Sequence, residues 1–479
     1  MALAADDTDE TGRRNVLVVC LDTVRADFFS DYAKRLQRLA DVSFTQCRAA
    51  SSWTVPSHAS MFTGELPSKH GVHTHNRRFD TIDREETFLD DLDGYSTFGA
   101  SANAFVNPDY GFDSWFDEFS PVEPKHRYPE ATSLREVSRR VDTSGPEKYV
   151  EYLRAALTHE YPVRSLKNTT LGYLHELTKT GPVPKGVDDG ASAVLRAAKR
   201  HIDGTDRPYF GFCNLMDAHT PLQPCLAFDS SLQRVPNSWT SSRYGVWELM
   251  DESGRHDDYW RTRKEVYGAT IEYLDRVVAS FVTDVLERSE RETTIIVTSD
   301  HGENHAEEAD DFVANHKSSL SEGLLHVPLC IINPPEGYNS RETGYVSQLT
   351  LGDLVVGLAD GRTPDVERDR LPAELVGMSA GPEPPSDYEY WDRAIRCAYD
   401  GTTKTVWDSL GTRIEYELDS DRPSWQRRVE TTEGTPAVES AFFDDPIADA
   451  KESARDTSPS TAEEIDSTTE SRLEELGYL

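Results

Sequence analysis

The segment Asn15-Val-Leu-Val-Val-Cys-Leu21 is a continuous apolar, valine-rich run that stops at Asp22. A strand with one wet face alternates apolar and polar residues. A run without alternation marks a strand covered on both faces, the usual condition of a mainly parallel sheet with helices on either side. Two more runs repeat the pattern. Pro208-Tyr-Phe-Gly-Phe-Cys-Asn-Leu215 leads into Met216-Asp-Ala-His-Thr-Pro221, and Thr293-Thr-Ile-Ile-Val297 leads into Thr298-Ser-Asp-His-Gly-Glu303. Ligands of such sheets collect beyond the carboxyl ends of the strands. Asp22, Asp217, His219, Asp300 and His301 follow the runs and are candidate site residues for that reason. Arg25 and Asp27, in the turn after Asp22, read better as a local ion pair.

The stretch Ser51-Ser-Trp-Thr-Val-Pro-Ser-His-Ala-Ser-Met-Phe-Thr-Gly64 predicts a loop that opens a helix. Pro56 suits the first turn, Ser57 can satisfy first-turn amides, and Ala59 to Phe62 is compact and apolar. The Thr54 hydroxyl would then face a helix N-terminus, where backbone N–H groups and the helix dipole favour an anion. Amphipathic spacing predicts further helices over 31–40, 190–201 and 263–288.

These segments together resemble a known family. The pattern Thr54-x-Pro56-Ser57-His58-x-x-Met61-x-Thr63-Gly64 is similar to the sulfatase signature of the alkaline phosphatase superfamily, and Asp22, the 299–303 turn and His326-Val-Pro-Leu329 stand in the family's order. The resemblance spans roughly residues 14 to 420. It implies an α/β fold, an alkaline-phosphatase-like mixed and mainly parallel sheet flanked by helices, with a small C-terminal antiparallel subdomain. It also implies a divalent metal (Zn, Mn, Mg or Ca) on Asp22, Thr54, Asp300 and His301. By the same resemblance His58, His219 and either His316 or Lys317 surround the transferred group, and Asn76 reaches the substrate from the polar loop His73-Thr-His-Asn-Arg-Arg78. His70, in Gly64-Glu-Leu-Pro-Ser-Lys-His-Gly-Val72, is expected to be structural.

Two departures bear on the chemistry. Sulfatases proper oxidise a Cys or Ser at the signature position to formylglycine. Thr54 cannot give that aldehyde, because oxidising a secondary alcohol gives a ketone. His58 stands where those enzymes carry Arg. The chain looks like the branch that uses an unmodified threonine hydroxyl on phosphate mono- or diesters, as hydrolase or transferase. Two alternatives stay open: a sulfuric ester hydrolase without formylglycine, and a relative that kept the fold as a non-catalytic binding module. The expected substrate is an anionic small-molecule or glycan ester.

Charge sets the outer limits. The chain has 85 Asp and Glu against 50 Lys and Arg, a net charge of −35. Such a surface repels nucleic acid and anionic membranes. Its apolar content of 37% and its strong strand runs argue for a folded body with a solvated acidic shell rather than for disorder. Six cysteines without paired spacing, three of them (Cys20, Cys213, Cys330) inside strand runs, predict buried free thiols. No stretch approaches the ~20 apolar residues of a membrane helix, and the apolar run after Arg13-Arg14 is too short for a signal segment, so a cytoplasmic protein is expected.

The expected organisation is a disordered lead-in over 1–13 and a catalytic domain over 14–365, with an inserted cap over 120–190. A small antiparallel sheet over 386–420 and an acidic mobile tail over 421–479 complete it. Nothing in the sequence gives the oligomeric state. A halophilic habit is expected from the charge, because self-repulsion acts over a Debye length of ~10 Å at about 0.1 M salt and is screened at molar salt. The melting temperature should therefore rise steeply from low to molar KCl; an unchanged value would refute this reading.

Overall fold

The structure, a computed structural model, describes residues 12–456 and Leu473, apart from 124–127, 129–130, 133–136, 138–145, 181–183, 252–255 and 379–385. The first apolar run forms β1 (Asn15–Leu21), buried along its whole length. The remaining strands of its sheet are β2 (Val42–Arg48), β3 (Ser96–Ser101), β4 (Glu118–Pro121), β5 (Tyr209–Leu215), β6 (Thr293–Thr298), β7 (Leu329–Ile332), β8 (Arg341–Ser347) and β9 (Glu367–Arg368). They lie in the order β4-β3-β5-β1-β6-β7-β2-β8-β9. Strands β4, β3, β5, β1 and β6 run parallel, β7 is antiparallel to both neighbours, and β2 pairs parallel with β8. The sheet is therefore mixed and mainly parallel.

Period-two alternation explains why β1 has no polar residue between Val16 and Leu21. Val16, Val18 and Cys20 enter one hydrophobic core and Leu17, Val19 and Leu21 enter the other. On the first side lie helices α1 (Thr54–Thr63) and, later in the chain, a helix over Leu351–Ala359. On the second side lie α2 (Ala191–Asp203) and α3 (Asp257–Arg288), through Val194, Val266, Ile271 and Leu274. Each fully buried Val or Leu side chain of β1 contributes roughly 1.5–3 kcal/mol relative to exposure, so a polar residue anywhere in the strand would be costly. All six cysteines are buried and unbridged. Among the described residues no helix is long and apolar enough to cross a membrane.

A second, separate sheet lies at the C-terminal end: β10 (Arg370–Val376), β11 (Ala394–Asp400), β12 (Thr403–Asp408), β13 (Thr412–Leu418) and β14 (Gln426–Glu433), antiparallel throughout and in sequence order. It is wider than the 386–420 expected, at both ends. Strand β10 was hidden by Pro372, which it tolerates because it is an edge strand and can spare a ladder donor. Strand β14, within the expected mobile tail, is almost wholly polar and exposed, so it carries no apolar alternation to find. A helix over Ile447–Asp456 also falls inside that tail, and Leu473 is fully buried in the main core. The expected lead-in falls almost entirely outside the described residues. So do Lys125, His126, Arg127, Arg139 and Arg140 of the expected cap, whose described part includes helices over Pro146–Thr158 and Pro162–Thr180.

The small sheet matters to the rest because β10 grips the loop before α1. The Glu374 amide donates to Ala50 O at 2.9 Å, and Ser51 Oγ donates to Glu374 O at 2.6 Å. The Glu374 carboxylate is buried, accepts from the Ser68 amide at 2.6 Å and is neutralised by Arg396 Nε at 2.8 Å. Removing one partner of a buried pair strands the other charge, which costs about 3 kcal/mol or more. Arg396→Leu should lower unfolding stability by that order in denaturant titration. Arg396→Leu combined with Glu374→Gln should regain part of the loss; equal stability of wild type and single variant would show that the pair does not anchor the sheet.

Candidate active site

Sheet register brings the two strand-end acids together. Along β1 and β6, Cys20 pairs with Thr298, so two residues further on Asp22 emerges beside Asp300. Both are buried, and with His301 their ligand atoms lie within 4.8 Å of one another. Asp300 Oδ1 accepts from the amides of Thr23 and His301, at 3.2 and 2.9 Å. Its Oδ2, and Oδ1 of Asp22, have no hydrogen-bond partner among the described residues. Burial pushes both carboxyls up to about 7, Asp22 also through the facing charge of Asp300.

His301 is aimed by its own loop. The His301 Nδ1 proton is donated to Gly302 O at 2.7 Å, leaving Nε2 3.4 Å from both Thr54 Oγ1 and Asp300 Oδ2. A side chain on Gly302 would place its Cβ 2.0 Å from Gly323 O, so the motif's glycine is required by a close backbone approach.

Helix α1 delivers Thr54. It begins at that residue, is closed by Gly64 with φ +72°, and has no side chain capping its first turn. Ser57, expected to cap it, instead donates its hydroxyl to Ser51 O at 3.0 Å and ties the preceding loop. Below Thr54 the helix rests on aromatic rings: Phe62 lies 5.1, 5.3 and 5.4 Å from Phe88, Trp115 and Phe112. His58, one turn after Thr54, is fully buried between Phe112 and Phe212. Burial pushes its imidazole down to about 3, so it is neutral and donates from Nδ1 to Thr54 O at 2.8 Å. That places His58 behind Thr54, 3.6 Å from Asp300 Oδ2, where it supports the helix start rather than presenting a charge.

A line of imidazoles leads away from the acids. The rings of His301 and His316 are 5.0 Å apart, and those of His316 and His219 are 5.2 Å apart. His316 Nδ1 lies 3.3 Å from both oxygens of Glu303, whose carboxylate also meets Arg263 at 3.1 Å. His316 and the Arg263 guanidinium hold Glu303 down at about 2 despite its burial. His219 Nδ1 faces Thr220 O at 2.6 Å, and burial with the neighbouring His316 holds its pKa well below the usual range. Lys317 Nζ lies over the ring of Trp53 at 5.1 Å, directly beside Thr54 in the chain.

Other expectations resolve differently. Asn76 serves its own turn: its amide nitrogen donates to Gly71 O at 2.9 Å and its oxygen accepts from the Arg78 amide. The amide at the acids comes from Asn103, just past β3, whose Nδ2 donates to Asp22 Oδ2 at 2.7 Å and approaches Thr54 Oγ1 at 3.5 Å. Asn214, at the end of β5, adds a longer contact to Asp22 Oδ2 at 3.4 Å. Asp217 accepts from the amides of Asp189 and Ala191 at the start of α2. Arg25 and Asp27 do form an ion pair, at 2.7 Å, and His70 bonds to Ser60 Oγ and the Val72 amide.

The donor chemistry suits a hard divalent cation. Two buried carboxylates that repel each other each hold one oxygen without a partner, an imidazole Nε2 converges on them, and a hydroxyl completes the set. A family model described as Sulfatase matches residues 14–361. The chain belongs to the sulfatase family. Its fold resembles the phosphonate monoester hydrolase of Silicibacter pomeroyi, at TM-score 0.54 and 14% identity over 90% of this chain and 93% of that one. It also resembles the phosphonate monoester hydrolase of Agrobacterium radiobacter, at TM-score 0.56 and 15% identity over 88% and 89%. No curated protein matches the chain. Like other members, this sulfatase-family enzyme has a ligand cluster fit for a divalent metal, Asp22, Asp300 and His301. Asp300→Asn should lower bound metal measured by elemental analysis and leave circular dichroism unchanged; full metal content in the variant would remove Asp300 from the set.

Proposed function

We propose that the enzyme cleaves phosphate mono- or diesters with the unmodified Thr54 hydroxyl as nucleophile. The observation that carries this reading is the position of Thr54 Oγ1, at the uncapped start of α1 and 3.4 Å from His301 Nε2, with Asn103 reaching both it and Asp22. A divalent ion on this cluster, when bound, supplies positive charge that favours the ionised hydroxyl and offsets charge developing on the transferred group. Thr54 enters as the alkoxide, its proton released to solvent. Its Oγ1–phosphorus bond forms while the bond to the leaving oxygen breaks. The amides of Thr54 and Val55, at the start of α1 that no side chain caps, and Lys317 would face the growing charge on the equatorial oxygens. His316, held at Nδ1 by Glu303, would protonate the leaving oxygen from its imidazolium form, which the Glu303 charge supports against the burial that lowers it, and this favours it over Lys317 for that role. Water then breaks the phosphothreonine ester; an acceptor alcohol in its place would make the enzyme a transferase.

Phosphorus is favoured over sulfur by the residue itself, since Thr54 cannot become the formylglycine on which sulfatases proper depend. The phosphonate monoester hydrolases of similar fold are named for a phosphorus ester. Sulfate ester cleavage without formylglycine is the second reading, favoured by the family match. A purely binding role is disfavoured by the intact ligand set.

Thr54→Ala separates catalysis from architecture. It should lower turnover of aryl phosphates by several powers of ten and cost no more than ~1 kcal/mol of stability, and Thr54→Ser should retain measurable activity. Mass spectrometry should find an unmodified Thr54 in the resting enzyme and a phosphoryl adduct on it with slow substrates. Normal turnover in Thr54→Ala would end the assignment.

A further inference from the structure

Among the described residues ten large hydrophobic side chains are exposed, and five of them lie within positions 150–163: Val150, Leu153, Leu157, Tyr161 and Val163. They belong to a helical hairpin made of the helix over Pro146–Thr158, a short turn and the helix over Pro162–Thr180. The other five, Leu226, Phe312, Tyr390, Leu410 and Val429, are scattered along the chain. Single exposed apolar residues need no explanation, whereas a group of them marks a surface that something else covers.

The hairpin already has an inner face. Tyr152 and Ala156, four residues apart on the first helix, are buried. The second helix is tied to the body, where Asn168 Nδ2 donates to Tyr128 O at 3.0 Å and Ser165 Oγ accepts from the Thr132 amide at 3.1 Å. Val150, Leu153 and Leu157 lie on a different face of the first helix. Their steps of three and four residues are those of the a and d positions in a two-helix seam. At 3.6 residues per turn the three side chains fall within about 60° of one another, and about 100° from the buried pair. The first helix thus carries a second seam, turned outward.

Charge decides what fits this seam. A net charge of −35 sets the chain against an anionic lipid surface. Two bases of the second helix are turned onto the protein's own rings, Arg164 over Tyr128 and Tyr161 and Lys167 over Tyr128. Beside the stripe the first helix carries both signs, Glu151 and Arg154, one turn apart and 4.0 Å from each other. Where two copies of a helix pack antiparallel about a two-fold axis, each edge meets the same edge of its partner running the other way. An edge with an acid and a base one turn apart is then complementary to itself, with Arg154 of each copy brought toward Glu151 of the other.

We propose that the hairpin is the interface of a homodimer, in which the Val150, Leu153 and Leu157 stripes of two copies pack antiparallel. The face is small: the 13-residue first helix is about 20 Å long and about 10 Å wide. Two helices of that size offer on the order of 400 Å² a side, less than the roughly 800 Å² of a standard interface. The dimer is therefore weak and reversible. Repulsion between two strongly acidic bodies opposes it at low salt and is screened at molar salt, while the apolar contact is kept. The proposal is independent of the chemistry at Thr54.

The test is sedimentation equilibrium of the full-length protein between about 1 and 100 μM, in low and in molar KCl. Wild type should form a dimer whose dissociation constant falls as salt rises. Leu153→Glu combined with Leu157→Glu should raise that constant about tenfold or more, whereas Leu226→Glu, an exposed leucine outside the hairpin, should leave it unchanged. Arg154→Glu should weaken the dimer several-fold, and adding Glu151→Arg should restore it, with circular dichroism unchanged in every variant. A monomeric wild type across that range in molar KCl would overturn the proposal, as would a dimer indifferent to the two leucine changes. A charge swap no tighter than Arg154→Glu would overturn the antiparallel pairing. Co-sedimentation of a monomeric wild type with phosphatidylglycerol vesicles, lost in the double leucine variant, would assign the stripe to lipid and overturn the homodimer.

Discussion

Asp22 and Asp300 face each other, both buried, and the repulsion between them is borne by two neighbouring parallel strands. Neither carboxylate can retreat, because each leaves the last turn of a strand buried on both faces. A slip of one residue in the β1–β6 register would turn Asp22 away from Asp300 and every core side chain of β1 to the wrong face. The apolar runs and the acids are in this sense one device. Burial on both faces makes the register unforgiving, and that register is what holds two like charges within reach of one cation. The close contact of Gly302 with Gly323 O and the aromatic bed under α1 extend the same rigidity to His301 and Thr54.

This arrangement also explains what could be read from the residues alone. The strand ends carrying Asp22, Asp300 and His301 were legible because unbroken apolar runs are rare and the polar residue that ends one stands out. Asn103 was not, although it obeys the same rule: it closes the short strand Ser96–Ser101, where Ser and Gly dilute the apolar signal. Asn76 looked equivalent from its polar loop, and only the path of the chain shows that its amide is spent on Gly71 and Arg78. Glu303 was visible as part of a motif, but its partner Arg263 lies at the start of the long helix, and no local pattern joins them. The second sheet was seen at its centre and missed at its edges, β10 because Pro372 interrupts its apolar pattern and β14 because it is almost wholly polar and exposed.

The scarcity of cations gives the interior a particular economy. Arg25 meets Asp27, Glu307 and Asp310; Arg48 meets Glu322; Arg263 meets Glu303; and Arg396 meets Glu374 and Glu439. In each case the guanidinium is buried and neutralises acids near the site or at the seam between the sheets. The planar fork of arginine suits this use, since it can satisfy several oxygens with one charge.

The ligand set is also distributed in time. Asp22 and Thr54 are made early, but the strand that carries Asp300 and His301 follows only after α2, β5 and the whole of α3. Strand β1 waits as well, because both of its neighbours, β5 and β6, come later in the chain than the helix bearing Thr54. A partly synthesised chain thus contains the hydroxyl and one acid without a cage to hold a cation between them. Non-local pairing of this kind delays closure of the centre until most of the polypeptide exists. An emerging chain is in this way kept from gathering Asp22, Thr54, Asp300 and His301 before the walls around them are in place.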